Sequence, residues 1–121
     1  MYDEQRIYSL LERIEDAILL IQNQTDSIET ADYFLNSQEG IFMLGGVCMQ
    51  LIFIGESVKT LDAKNAGYLA DYPEIPWREV MGLRNVIAHE YHHIDAEEIL
   101  NVIKKDLPIL LSVIQRMKNE I

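Results

Sequence analysis

Eight consecutive residues, Arg84-Asn85-Val86-Ile87-Ala88-His89-Glu90-Tyr91, gather a guanidinium, an amide, an imidazole, a carboxylate and a phenol. Arginine offers a planar fork of donors that matches a phosphate. Histidine takes or gives a proton near neutral pH. Together they form a minimal kit for cleaving RNA without a metal. His89 would assist attack by the 2′-hydroxyl or protonate the leaving oxygen, while Arg84 would stabilise the charge growing on phosphorus. Geometry sets a condition. Five positions on a regular helix put Arg84 and His89 about 140° apart, whereas Asn85 and His89, four apart, share a face. Either the helix ends before His89, or the long Arg84 reaches round, or the working pair forms across two subunits. The purely structural alternative pairs Arg84 with Glu90 or Asp95 and leaves His89 to cap a helix C-terminus.

The same stretch contains a literal H-E-x-x-H, His89-Glu90-Tyr91-His92-His93. In zinc peptidases that pattern places two metal-binding histidines on one helical face, with the glutamate activating water. It requires a continuous helix through both histidines and a third ligand downstream. Here Asp95 reads as the cap of the next helix, the spacer residues are Tyr and His, and no helical His follows. A zinc metallopeptidase is therefore a remote alternative, and no metal or other cofactor is expected.

Composition narrows the classes further. With 121 residues, 49% hydrophobic and 25% charged, the chain suits a single folded domain over residues 1–121. Its net charge of -10 opposes sequence-blind binding to nucleic acid, which depends on neutralising phosphates. The acid is unevenly spread: residues 1–40 carry net -7 and 71–95 net -3, while 41–70 and 96–121 balance to zero. The acidic excess thus lies mostly away from the Arg84–Tyr91 stretch. Cys48, the single cysteine, sits in an apolar run and reads as a reduced, buried thiol. No basic-then-apolar leader opens the sequence, and the apolar run Ile41 to Ile54 is shorter than the roughly 20 residues of a spanning helix. A cytoplasmic protein without a membrane span is expected.

The elements that must position the motif read as helices. Ile7, Leu10, Leu11, Ile14, Ile18 and Ile21 recur at three- and four-residue steps, which predicts an amphipathic helix over 3–23. A polar turn over Asn23 to Thr30 follows, and Thr30 is a candidate cap for a short turn through Tyr33-Phe34-Leu35. From Gln38 to about Leu61 the chain is apolar nearly all round, which predicts a buried helix. Gly45, Gly46 and Gly55 weaken it unless another helix approaches closely, in the bundle or in a second subunit. Residues Lys59 to Tyr72 read as polar and loop-like around Gly67. Pro76 suits the first position of a helix running through Val80, Leu83 and Ile87. Asp95-Ala96-Glu97-Glu98 signals a last helix, with Pro108 kinking or restarting it near Asp106. The sum is an all-α, up-and-down bundle of four main helices with a short extra helical turn. A helix apolar on every face exceeds what a chain of this length can cover, so a homodimer is expected.

Resemblance adds to this. Arg84-Asn85-Val86-Ile87-Ala88-His89-Glu90-Tyr91 resembles the R-N-x-x-x-H-x-Y signature of the HEPN superfamily, in its HepT-like branch. Ile54-Gly55-Glu56-Ser57 resembles the family's I-G-E-A/S segment, and Pro76-Trp77-Arg78 through Gly82 its P-W-R lead-in. Asp106-Leu107-Pro108 with the following leucines resembles its final-helix pattern, so the likeness covers about residues 50–115. The resemblance implies a dimeric toxin of a toxin–antitoxin pair, with a small MNT-type nucleotidyltransferase antitoxin as partner and RNA as substrate. It implies a metal-independent ribonuclease in which Arg84 and His89 of two subunits meet at the interface. Asn85 would support that site by hydrogen bonding, and Tyr91 would be the hydroxyl that the partner modifies with AMP. The acidic balance keeps a second reading open, in which the chain is a non-catalytic binding partner and AMP acceptor of such a transferase.

Overall fold

The computed structural model describes residues 3–89 and 95–121, with side chains for all of these except Val86, Ala88 and His89. The described residues form helices joined by turns, without strands. Asp3 opens helix α1 (Glu4–Thr25) by accepting a hydrogen bond from the Arg6 amide at 3.2 Å, as an N-cap carboxylate should. The helix runs two residues past its expected end at 23, where Thr25 is buried and its hydroxyl donates back to the Ile21 carbonyl at 2.7 Å. Helix α2 (Asp32–Leu35) has Ala31 at its N-cap with no side-chain hydrogen bond, so Thr30 is not the cap. Its function is to bury Phe34 completely.

Helix α3 (Gln38–Lys64) is the centre of the bundle and packs against α1 and α2. The Ser37 hydroxyl caps it by accepting from the Gly40 amide at 2.9 Å. At 27 residues it passes the length and composition test for a membrane span, which the shorter apolar run in the sequence did not suggest. Its buried residues instead meet protein: Leu44, Val47, Leu51, Ile54, Val58 and Leu61 pack with Ile7, Leu11, Ile14, Ile18 and Ile21 of α1. The segment expected to be a loop from Lys59 is still helix up to Lys64. The turn comes at Gly67, whose φ of 87° favours glycine, before a 3₁₀ turn at Tyr68–Asp71.

The next main helix is two pieces. Helix α4 (Trp77–Met81) starts one residue after Pro76, which serves as its N-cap, and Gly82 separates it from α5 (Leu83–His89). At Gly82 ψ is -3°, and its amide is shared among the carbonyls of Arg78, Glu79 and Val80. The last main helix is also spliced. The Asp95 carboxylate caps α6 (Ala96–Asn101) by accepting from the Glu98 amide at 3.1 Å. A π-helical segment, Val102–Asp106, then leads into α7 (Leu107–Asn119), which restarts with Pro108 in its first turn. Proline lacks an N–H and clashes with a regular helical turn before it, and the wider π turn relieves both. Four main helical rods thus stand as expected, two of them interrupted.

Glycines separate the faces of α3. A Cβ on Gly55 would stand 2.7 Å from the Val80 carbonyl oxygen and 3.6 Å from the Leu83 Cβ, so the backbone of α4 crosses α3 at contact distance there. Gly45 and Gly46 have no such neighbour within 4 Å. Gly55→Ala should therefore destabilise the fold by about 1–3 kcal/mol through overpacking. Gly45→Ala or Gly46→Ala should instead leave the subunit fold unchanged or stabilise it by up to about 1 kcal/mol. Urea denaturation at low protein concentration checks this, and equal losses at all three positions would contradict it.

One ion pair ties the middle of α1 to the end of α7. Lys118 Nζ lies 2.6 Å from Glu15 Oε1, with both side chains largely buried, and stands 5.0 Å over the Tyr8 ring. That hydrogen bond holds the Glu15 carboxyl below the usual carboxylate range and raises Lys118 above the usual lysine value. A lowered carboxylate pKa stabilises the fold above the unfolded value and stops doing so as pH falls through the folded one. Glu15→Gln should cost about 1 kcal/mol at neutral pH. The variant and the parent should converge in acid denaturation below the ordinary carboxylate range, and a pH-independent gap would refute the assignment.

Candidate functional site

Arg84 and Asn85 occupy the start of α5, a helix whose backbone is continuous through His89. Of the three ways to reconcile Arg84 with His89, the helix ending before His89 is thereby removed. About 140° of helical rotation separates the two positions. Arg84 is exposed over 64% of its side chain, and Asn85 is also exposed, while Ile87 faces the core. The helix thus anchors through Ile87 and presents the cation to solvent. The His89 side chain lies outside the described residues, as do Glu90, Tyr91, His92 and His93, including the stretch that reads as a zinc motif. Among the described residues no group of three or more metal-ligating side chains converges.

Arg84 does not pair with Asp95 as the structural alternative supposed. Its Nη1 donates to Glu56 Oε1 at 3.0 Å, across 28 residues of sequence. Glu56 follows Gly55, the residue at which α4 crosses α3, so the close crossing sets the carboxylate beside the start of α5. Sequence reasoning quoted Glu56 within a resembling segment but did not single it out. The available signal was Gly55 next to a charged residue in an otherwise apolar helix.

A largely apolar groove of about 560 Å³ opens nearby, lined by Ile54, Val80, Leu83, Val102, Leu107 and Leu110. Glu79, Glu98 and Asp106 also line it, and Arg84 does not. Carboxylates around apolar walls repel phosphate, so this groove and the Arg84 surface are distinct in chemistry. Elsewhere the Tyr72 hydroxyl donates to Glu120 at 2.6 Å, and the Trp77 indole donates to the Tyr72 carbonyl at 2.8 Å. These hold the 3₁₀ turn to the start of α4 and to the chain's end. Burial pushes the Cys48 thiol up to about 11, so it stays protonated and chemically quiet at neutral pH.

Comparison with known proteins bears on the whole domain rather than on single residues. Residues 9–117 match the family model described as Ribonuclease HepT-like. A Thermococcus cleftensis protein named "probable ribonuclease HepT" is 30% identical over 110 residues, covering 89% of this chain and 92% of that protein. A Methanocaldococcus jannaschii protein named as a candidate RNase is 29% identical over 84% of each chain. A second protein from that organism, named as a gamma-glutamylcyclotransferase and candidate RNase, is 30% identical over all of this chain, which spans half its length. No solved structure matches the chain significantly. With the helical bundle in place and Arg84-Asn85 leading a helix that reaches His89, the family match over nearly the full length is decisive: this chain belongs to the HepT-like ribonuclease family.

Proposed function

We propose that the chain is the toxin component of a toxin–antitoxin pair, a metal-independent endoribonuclease acting in the cytoplasm as a homodimer. His89 moves the proton, either from the attacking 2′-hydroxyl or to the leaving 5′-oxygen, and Arg84 stabilises the charge on the phosphorus between them. Asn85, on the face it shares with His89, supports the imidazole. The observation that carries a two-subunit site is the unbroken backbone of α5. It keeps Arg84 and His89 of one chain on different faces, while a two-fold axis brings one chain's arginine to the other's histidine.

The surface of α3 supports the dimer. Phe42 and Met49 are 85% and 63% exposed and fall on one line of the helix with Phe53, beside the open Gly45 and Gly46. Residues 41–55 contain no charged residue, in a chain of net charge -10. This is the face on which two such chains meet with least repulsion. Met49→Glu should convert a dimer into a monomer by light scattering with helicity retained. A dimer that persists would move the interface elsewhere.

Subunit complementation tests the site. Arg84→Ala and His89→Ala should each lower RNA cleavage by a factor on the order of 10² or more, with wild-type activity indifferent to EDTA. Mixing the two inactive variants should restore activity, because one site of each mixed dimer keeps both groups. If mixing restores nothing, each site belongs to one chain. If EDTA abolishes RNA cleavage, the metal-independent mechanism is overturned.

Tyr91 is the proposed AMP acceptor for an MNT-type nucleotidyltransferase antitoxin. The added phosphate would repel RNA beside Arg84. Co-expression with such a transferase should add the mass of AMP to the peptide holding Tyr91, and the addition should vanish in Tyr91→Phe. A second reading is favoured by the net charge and by the carboxylate already on Arg84. In it the chain cleaves nothing and serves the transferase as binding partner and acceptor. Modification without any cleavage by the unmodified dimer would select it.

A further inference from the structure

The contact that the sequence did not announce, Glu56 on Arg84, has a chemistry of its own. A carboxylate and a phosphodiester present the same pair of anionic oxygens to a guanidinium. The ion pair is 3.0 Å long, and its two side chains are 64% and 40% exposed. Pairs this open contribute little to folding. In this one Nη1 alone meets Oε1, so the guanidinium has further donors to offer a second anion. Unrestrained, an arginine side chain spreads over many rotamers, and that freedom must be given up when it acts from one place. Glu56 lies fourteen residues, four helical turns, beyond Phe42 and seven beyond Met49, and so continues the exposed α3 stripe. The restraint thus points Arg84 toward the end of the uncharged face, where a second chain would meet it.

We propose that Glu56 is the positioning residue for Arg84. Its carboxylate holds the guanidinium against α3 through Nη1 before and after RNA binds, and the phosphate takes the donors that face away from it. It therefore aids the chemical step and opposes the substrate's charge at once. This rests on the reading of Arg84 as the residue that meets phosphate. The opposing effects separate Glu56 from a merely structural residue, which would alter the folded fraction without dividing binding from turnover.

The experiment measures cleavage and oligonucleotide affinity for Glu56→Gln, Glu56→Asp, Arg84→Ala and the double variant Glu56→Gln/Arg84→Ala, each checked for dimer content and helicity. Glu56→Gln should lower kcat about tenfold through misplacement of Arg84 and lower KM a few-fold through loss of the competing charge. Glu56→Asp, which keeps the charge, should recover part of kcat and the parental KM. In the Arg84→Ala background Glu56→Gln should change nothing further, as expected for two groups acting as one. Wild-type kinetics in Glu56→Gln, beside an inactive Arg84→Ala, would overturn the positioning role and leave the ribonuclease reading standing. Full activity in Arg84→Ala would overturn both. Should the dimer cleave no RNA at all, fluorescence anisotropy with a single-stranded oligonucleotide decides. Tighter binding by Glu56→Gln that requires Arg84 supports the role, and unchanged binding refutes it.

Discussion

The arrangement depends on one close approach. Gly55 of α3 meets the Val80 carbonyl of α4 at a distance that no larger residue permits. Helices usually pack 8–10 Å apart through interleaved side chains. Dropping one side chain lets the α4 backbone come in, and the chain leaving α4 then begins α5 beside Glu56 rather than a turn away. Gly82 supplies the break that lets α5 start in its own direction. The core packs on both sides of this crossing, with Ile54 and Val58 fully buried next to it. The position of Arg84 is thus settled by backbone contact. That is a stiffer constraint than the exposed ion pair it produces.

Charge imposes the second constraint. For a chain with net charge -10 to handle a polyanion, it must confine its attraction to a small area. Much of the chain's acid lies on the N-terminal segment, while the middle of α3 carries none. Several of the C-terminal cations are already engaged: Arg116 with Glu74 at 2.7 Å and Lys118 with Glu15. Lys104 reaches the Thr25 carbonyl at 3.4 Å. These serve the fold. Arg84 is also paired, but through Nη1 of a side chain that is 64% exposed.

Most of the helical plan was legible because it is written in periodicity. Ile7 to Ile21 and Ile99 to Met117 bury the residues whose spacing marks them, with Leu10, Val102 and Leu111 at the margin. Asp95 capped its helix as its carboxylate and Glu98 suggested. The breaks were harder to read. Gly82 looked like an interior residue because a helix tolerates glycine at modest cost, and only the crossing at Gly55 explains why the chain stops there. Gly45, Gly46 and Gly55 look alike in sequence, yet one is crowded and two are open, a difference made by residues 25 or more positions away. The partner of Arg84 was missed for the same reason. Local spacing pointed to Asp95 or to Glu90, the latter outside the described residues, while the carboxylate observed on Arg84 comes from another helix.

The π-helical segment Val102–Asp106 carries a lesson about length. The buried face runs Ile99, Ile103, Leu107, Leu110, Ile114 and Met117 without interruption across it. Removing one residue from this segment would let a regular helix form, but everything beyond would rotate by about 100° against the core. Leu107, Leu110 and Ile114 would swing out together, and the Lys118–Glu15 tie would lose its register. Single-residue deletions among relatives should therefore fall in the loops and spare this rod. In the last helix, residue number is as much a structural quantity as residue type.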